Sequence, residues 1–269
     1  MPFTLGPGAA SAGYRLVAFN RIGSTNAEAV ARARDGERGP VWFVTSEQTA
    51  GRGRRHRAWI APRGNLASSV LEVMSVAPAV AATLGFAAGL ALEAALRALS
   101  IEATSRSSGS DELRFSLKWP NDVLAGQHKL AGILLEAEPV GGGLAVVVGI
   151  GTNVVAAPEG TPTPATSLRT LGIDVSAEAL FSALSDSWAE FRNVWDHGRG
   201  FGEIRRSWLQ RATGLGQAVA IKTGGTPIEG VFETLDEQGC MIVRTAGGRK
   251  VPITAGDVYF GPAASAGAR

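Results

Sequence analysis

The sequence predicts an α+β protein, with helices packed on a mainly antiparallel sheet and a small β-barrel at the C-terminal end. Apolar runs over 130–137 and 144–150 flank Pro139-Val140-Gly141-Gly142-Gly143, a glycine turn that joins antiparallel strands. Two segments carry helical character instead. One is the Ala-rich stretch 79–99. In the other, Leu180, Leu184, Trp188, Phe191 and Trp195 recur at spacings of four, four, three and four and form one apolar face. From 217 onward the texture changes to short alternating strands (218–222, 228–234, 240–245 and 249–254) separated by Gly-Gly and Asp-Glu-Gln-Gly turns, as in a small barrel.

Taken in order, residues 1–13 are rich in Gly, Ala and Pro and are expected to be disordered; they lack the charged start and apolar core of a signal peptide. An edge strand is expected at 16–19. Ser24-Thr25-Asn26 then offers an N-cap for a helix over 27–34 that Gly36 ends. Strands follow at 41–44 and 66–73. The uncharged run 73–92, with Gly85 and Gly89 in a GxxxG pair, has the composition of a membrane span, but Pro78 interrupts it and Glu93 and Arg97 follow, so a buried helix over 79–99 is expected. Residues 104–112 read as a Ser/Gly/Asp-rich loop. A strand over 115–119 stops at Pro120, which cannot donate to a central ladder. A Pro/Thr-rich connection spans 157–166. Gly198 closes the amphipathic helix, and a further helix over 201–212 closes on Gly214 and Gly216, which divides the chain into 1–213 and 214–269.

With 269 residues, 45% apolar and 19% charged, the chain is long enough for one large domain, or a large and a small one. Net charge is only +2, so basic character is local, which disfavours nucleic-acid binding as the main function. The single Cys240 excludes an internal disulfide and fits a reducing, cytoplasmic compartment; it reads as a small buried strand residue. With only His56, His128 and His197 present, a histidine metal site is not expected. Gly149-Ile150-Gly151 lacks the third glycine of a dinucleotide fingerprint, and no GxxxxGK[ST] phosphate loop occurs.

The basic character concentrates in Gly51-Arg52-Gly53-Arg54-Arg55-His56-Arg57, four arginines within six residues. Such a loop can close over a polyanion, and self-repulsion should keep it mobile until that anion arrives. On charge pattern alone, a solvated face or a nucleic-acid patch is the commoner explanation. Two more blocks follow in order: Lys118-Trp119-Pro120-Asn121-Asp122 with Lys129-Leu130-Ala131-Gly132-Ile133, then Gly149-Ile150-Gly151-Thr152-Asn153. In this order the blocks resemble the biotin–protein ligases, and the resemblance runs from about residue 24 to the C-terminus.

The resemblance implies a mixed, mainly antiparallel α+β catalytic domain of the class II aminoacyl-tRNA synthetase-like type, with an SH3-like C-terminal barrel. It implies an enzyme that makes biotinyl-5′-AMP from biotin and ATP with Mg²⁺, then passes biotin to a lysine on the biotin carboxyl carrier domain of a biotin-dependent carboxylase. Arg54 and Lys129 match residues that contact the biotinyl carboxylate and phosphate, with Arg52, Arg57 and Lys118 as further phosphate partners. Ser24, Thr25, Asn26 and Gln48 match the pocket for the ureido ring, joined by Gly51, Arg52, Arg54, Lys129 and Gly132; without the family, Ser24-Thr25-Asn26 is a helix cap. Trp59 is placed to stack on adenine, and Asn153 matches a residue near the adenylate. Asn121 and Asp122 are candidates to hold Mg²⁺ through water and to orient phosphate, and Asp122 to take the proton of the incoming lysine; read alone, Pro120-Asn121-Asp122 serves equally as a turn. His56 departs from the family, which usually has glycine there, and its Cβ restricts the loop.

Three rivals are weighed. A lipoate or octanoate ligase would carry a Ser/Gly-Gly-Gly block in place of the arginines and would lack Lys-Trp-Pro-Asn-Asp. A repressor of the same family needs a helix-turn-helix before the ligase segment, and residues 1–23 are too few for three helices, so no specific DNA binding is expected. A biotin-storing module would have no use for both Arg54 and Lys129. Neither the choice of monomer or homodimer nor the acceptor carboxylase is fixed by the sequence, and no membrane association is expected.

Overall fold

The computed structural model describes residues 2–104, 114–161, 163–222 and 227–260, without the side chains of 56 and 102–104. The first element is a short helix, α1 (Pro7–Ser11), where a disordered segment was expected. Ala9 is fully buried, the Gly6 amide donates to Ser185 Oγ (2.9 Å) and the Ala9 amide to Asp186 Oδ1 (2.9 Å). The sequence gives no sign of this because the small residues have no periodicity of their own; they are ordered by polar groups 177–179 positions away.

The main sheet has seven strands: β1 (Arg15–Phe19), β2 (Val41–Thr45), β5 (Leu66–Met74), β6 (Phe115–Lys118), β7 (Asp122–Ala125), β8 (His128–Val140) and β9 (Gly143–Thr152), in the order β1-β2-β5-β9-β8-β7-β6. Only β1–β2 is parallel, joined through α2 (Thr25–Arg34); every other pair is antiparallel. The sheet is therefore mixed and mainly antiparallel, with β1 at its edge. Strand β7 was not expected from sequence: it returns from β6 within three residues, through Trp119-Pro120-Asn121. The strands β3 (Gln48–Arg52) and β4 (Ala58–Ala61) form a separate hairpin that carries the arginine loop.

The expected helix over 79–99 is present as α3 (Pro78–Ala82) and α4 (Leu84–Thr104), broken at Thr83. Thr83 Oγ1 donates to the Val80 carbonyl and accepts from Trp195 Nε1 (2.7 Å). Residues 78–101 are long and apolar enough to cross a membrane by composition, yet most of that stretch is buried inside the protein against the sheet and α5 (Ala177–Trp195). Its charges are used internally: Glu93, 6% exposed, pairs with Arg211 Nε at 2.9 Å. In α5, capped by Ser176, Leu180, Leu184, Trp188 and Trp195 are buried as the spacing requires, and Phe191 is partly buried. Trp188 Nε1 donates to Tyr14 Oη (3.0 Å), which donates to Glu72, itself paired with Arg192 (2.9 Å). Burial is the main cause that drives the Tyr14 hydroxyl well above its ordinary pKa, followed by the Glu72 charge. Helix α6 (Phe201–Leu209) stops three residues short of its expected end.

A second, five-stranded antiparallel sheet contains β10 (Ala218–Lys222), β11 (Ile228–Leu235), β12 (Met241–Arg244), β13 (Lys250–Ile253) and β14 (Asp257–Phe260), in the order β13-β12-β11-β10-β14. The unexpected β14 pairs with β10 and brings Asp257 back toward the arginine loop. Trp119 joins the two sheets: its indole N–H donates to the Gly239 carbonyl (3.0 Å). Gly239 has φ +81° and lies so close to Phe86 that a Cβ would collide with the ring, so glycine is required on both counts. The loop expected at 104–112 falls almost wholly outside the described residues.

Candidate active site

A cavity of about 250 Å³ opens where β8, β9, the β3–β4 hairpin, the start of α2 and the 256–259 edge of the second sheet meet. One end is built from hydrogen-bonding groups. Ser24 caps α2 by accepting from the Ala27 amide (3.3 Å), and this fixes the following two side chains toward the cavity. Gln48 Oε1 accepts from the Thr25 amide (2.9 Å) and hydroxyl (3.2 Å). Asn26 is 4% exposed, and its Nδ2 donates to the Leu134 carbonyl (3.3 Å) and Glu136 Oε2 (2.8 Å). Bare backbone forms the floor. A Cβ on Gly151 would run into the indole of Trp59, and one on Gly132 would sit 3.1 Å from that ring, so the two glycines make room for it.

The other end is cationic. Arg54 Nη1 donates to Asn121 Oδ1 (2.9 Å), while Asn121 Nδ2 latches onto the Ile133 carbonyl (2.8 Å). Lys129 Nζ lies 5.6 Å from the centre of the Trp59 ring and 2.6 Å from Asp122 Oδ1. Lys129 and Asp122 thus form a close ion pair at the cavity wall. Burial lowers the pKa of Arg54, and the charge of Arg55 adds to this; Asp122 and Asp257 offset part of it. Burial also lowers that of Lys118, offset in part by Asp122 and reinforced by Lys129. Arg54 and Lys118 are thus under-compensated, and an incoming anion would stabilise them. Trp59 Nε1 and Asn153 Oδ1 are buried without partners as well.

The family model for biotin/lipoate A/B protein ligases matches residues 19–153, and that for the C-terminal domain of biotin protein ligases matches 214–261. The biotin–[acetyl-CoA-carboxylase] ligase of Paracoccus denitrificans is 39% identical over 248 residues, which is 90% of this chain and 98% of that protein. The chain belongs to the biotin protein ligase family. The ligase of the same name from Mycobacterium tuberculosis is 36% identical over 261 residues, covering 93% of this chain and 91% of the relative. The fold is shared with the biotin protein ligase of Aquifex aeolicus solved in complex with biotin and ATP (TM-score 0.72, 24% identity, 92% of this chain and 99% of that one).

In this family member, Ser24, Thr25, Asn26, Gln48, Arg52, Arg54, Arg57, Trp59, Lys118, Asn121, Asp122, Lys129, Gly132 and Asn153 all line the one cavity. Gly51 is not among the lining residues; a Cβ there would strike the Trp59 carbonyl across the hairpin, so its glycine serves β3–β4 packing. The arginine loop differs from the expectation of self-repelling charge. Arg55 Nη1 (3.0 Å) and Arg57 Nη2 (2.7 Å) both donate to Asp257 Oδ2, and Arg52 Nη2 pairs with Glu136 Oε2 (3.0 Å). The hydrogen bond to Asp257 raises the Arg57 pKa. Burial alone would raise the Asp257 carboxyl, but its bond to Arg57 and the charges of Arg57, Arg55 and Arg54 hold it below the usual range. Arg55 adopts φ +55° in the turn; the side chain of His56 lies outside the described atoms.

Sequence reasoning missed Asp257, Glu136 and the Pro/Thr-rich connection. Pro158, Thr161, Thr163 and Ala165 line the cavity, and this segment is zipped to Lys129 through the Lys129 amide to the Pro164 carbonyl (2.7 Å) and the Thr166 amide to the Lys129 carbonyl (3.0 Å). Glu136 ends the run Lys129-Leu130-Ala131-Gly132-Ile133-Leu134-Leu135-Glu136, and a carboxylate within an otherwise apolar strand was the available signal. Asp257 gave none.

Proposed function

We propose that the protein is an ATP-dependent biotin protein ligase that makes biotinyl-5′-AMP and transfers biotin to a lysine of a carboxylase carrier domain. The observation that carries this reading is the joining, in one cavity, of a hydrogen-bonding end (Thr25, Gln48) and a cationic end that holds the under-compensated Arg54 and Lys118 together with Lys129. Two anions must meet in the first step, and the cations offset their repulsion. A carboxylate oxygen of biotin attacks the α-phosphorus, the bond to the β-phosphate breaks, and pyrophosphate leaves with its electron pair. Arg54 and Lys129 grip the carboxylate and α-phosphate, while Arg52, Arg57 and Lys118 hold the remaining phosphates. Trp59 packs on adenine, and Asn153 Oδ1, which lacks a partner, meets the adenylate. Ser24, Thr25, Asn26, Gln48 and Gly132 surround the ureido ring. In the second step the carrier amine attacks the acyl carbon, the bond to AMP breaks, and Asp122 Oδ1 takes the amine proton.

Among the described residues no cluster of three or more His, Cys, Asp or Glu side chains is assembled, and Asp122, beside Lys129, supplies one carboxylate to the cavity. This donor set fits a Mg²⁺ ion carried by the triphosphate, which Asn121 and Asp122 would hold through water. When bound, Mg²⁺ neutralises phosphate charge and polarises the reacting phosphoryl group.

Residues 1–213 are the catalytic unit and 214–269 the SH3-like barrel, a division supported by the two separate sheets and the two family segments. The lone Cys240 and the absence of any other thiol support a cytoplasmic setting.

ATP–pyrophosphate exchange, with biotin, lipoate and octanoate offered separately, tests the reading. Exchange with biotin alone is expected. Exchange with either of the other acids instead would overturn the assignment at Thr25 and Gln48, and no exchange with any acid would leave a biotin-binding module.

A further inference from the structure

Glu136 and Ser69 are not among the residues lining the cavity, yet they connect to it through an unbroken chain of hydrogen bonds. Glu136 Oε2 accepts from Arg52 Nη2 (3.0 Å) on the loop side and from Asn26 Nδ2 (2.8 Å) on the pocket side. Ser69, fully buried, places its hydroxyl 2.5 Å from Asn26 Oδ1 and 2.7 Å from Thr25 Oγ1. Thr25 in turn meets Gln48. We infer that Glu136 is a positioning residue for the acid substrate, fixing the Thr25 hydroxyl, through Asn26 and Ser69, as a hydrogen-bond acceptor toward the cavity. The inference rests on the ligase reading above.

The direction of the chain follows from counting protons. Asn26 faces two pure acceptors, the Glu136 carboxylate and the Leu134 carbonyl, so its NH₂ must point to them and its Oδ1 to Ser69. A hydroxyl has one proton, and Asn26 Oδ1 can only accept, so the Ser69 proton is committed there. Thr25 then spends its own proton inside the protein, on Ser69 Oγ or on Gln48 Oε1. What it can still offer a ligand is lone pairs. A cyclic urea presents N–H donors and is matched; an acid whose ring or tail has no N–H leaves a nearly buried acceptor unpaired, which is costly.

Gly149 belongs to the same device. A Cβ there would overlap Asn26 Oδ1, so only glycine on β9 lets the amide lie flat in this orientation. Asn26, Thr25 and Ser69 are each under 5% exposed, so no water is needed to complete the chain. Arg52 shares the Glu136 oxygen, so the carboxylate also ties the stem of the arginine loop to the pocket for the acid.

The test is biotin-dependent ATP–pyrophosphate exchange by the full chain as wild type, Glu136→Ala, Glu136→Gln, Ser69→Ala and the Glu136→Ala/Ser69→Ala double variant, each checked for wild-type circular dichroism. Ser69→Ala leaves Arg52 and Glu136 untouched, so it isolates the pocket branch. Ser69→Ala and Glu136→Ala should each raise KM for biotin about five- to tenfold, the equivalent of one neutral hydrogen bond, with kcat at saturating biotin within about threefold. The double variant should be no worse than the poorer single one, because both cut the same chain. Glu136→Gln should recover most of the affinity, since its amide oxygen can accept from both Asn26 and Arg52. Additive effects, a biotin KM within twofold of wild type in Ser69→Ala, or a Glu136→Gln variant as poor as Glu136→Ala would each overturn the inference. If Glu136→Ala does not fold, Ser69→Ala still decides, since a biotin KM within twofold of wild type there overturns the inference. Failure of the wild type itself to exchange would refute the ligase reading instead.

Discussion

Replacing Asp257 by Asn removes the charge that holds two arginines of the loop. Arg55 and Arg57 both donate to Asp257 Oδ2, at 3.0 and 2.7 Å, with side-chain exposures of 41% and 60% against 29% for the aspartate. At such exposure each pair contributes only about 0.2–1 kcal/mol after solvent screening, so the two together amount to about 1 kcal/mol. Of the two, Arg57 is proposed to meet the triphosphate, and Asp257 both occupies it and repels phosphate. Asp257→Asn should therefore lower KM for ATP about fivefold in pyrophosphate exchange at saturating biotin, by the rule that 1.4 kcal/mol is a factor of ten. The gap from wild type should shrink as salt rises from about 0.05 to 0.5 M, because the Debye length falls severalfold. Without nucleotide, trypsin should cut the loop of the variant faster. The Asp257 carboxyl is held below its ordinary range, so its pairing is fully present above about pH 4 and is lost only as pH falls through the depressed value. The difference between variant and wild type should accordingly be flat from pH 6 to 8. An unchanged or raised KM for ATP, with unchanged trypsin cleavage, would refute the clamp.

Lys129→Ala should reduce exchange by about a hundredfold or more while biotin affinity, read by calorimetry, falls less than tenfold, because the ammonium acts on charge that develops during the reaction. Gly151→Ala should drive the Trp59 ring off the floor and raise KM for ATP at least tenfold with little change in melting temperature, since the clash is with a half-buried cavity side chain; equal KM values would contradict the packing. Trp188→Ala empties a fully buried site against Trp42 and also frees the Tyr14 hydroxyl, so a loss of about 3–5 kcal/mol is expected in urea unfolding. Thr83→Ala leaves the buried Trp195 N–H without its acceptor and should cost about 1–3 kcal/mol in the same measurement.

Local physics made much of this protein legible in its sequence. The Ser24 cap, the four-four-three-four apolar face of α5, the glycine turn between β8 and β9 and the change to short strands after 214 depend on neighbours a few residues apart, so pattern alone fixes them. The three motif blocks likewise supply about half of the cavity lining, because each block is a short segment that delivers several polar groups at once.

What only the tertiary structure decided are the pairings across long stretches of chain. Residues 7–11 become a helix because Ser185 and Asp186 await them; β7 and β14 form because partner strands supply their hydrogen bonds. The arginine loop, expected to repel itself, is partly neutralised by Asp257, about 200 residues away, and by Glu136, 84 residues away from Arg52. Side-chain periodicity encodes which face of an element is apolar, whereas the partner of a charge depends on which loops the topology brings together. That information resides in the fold.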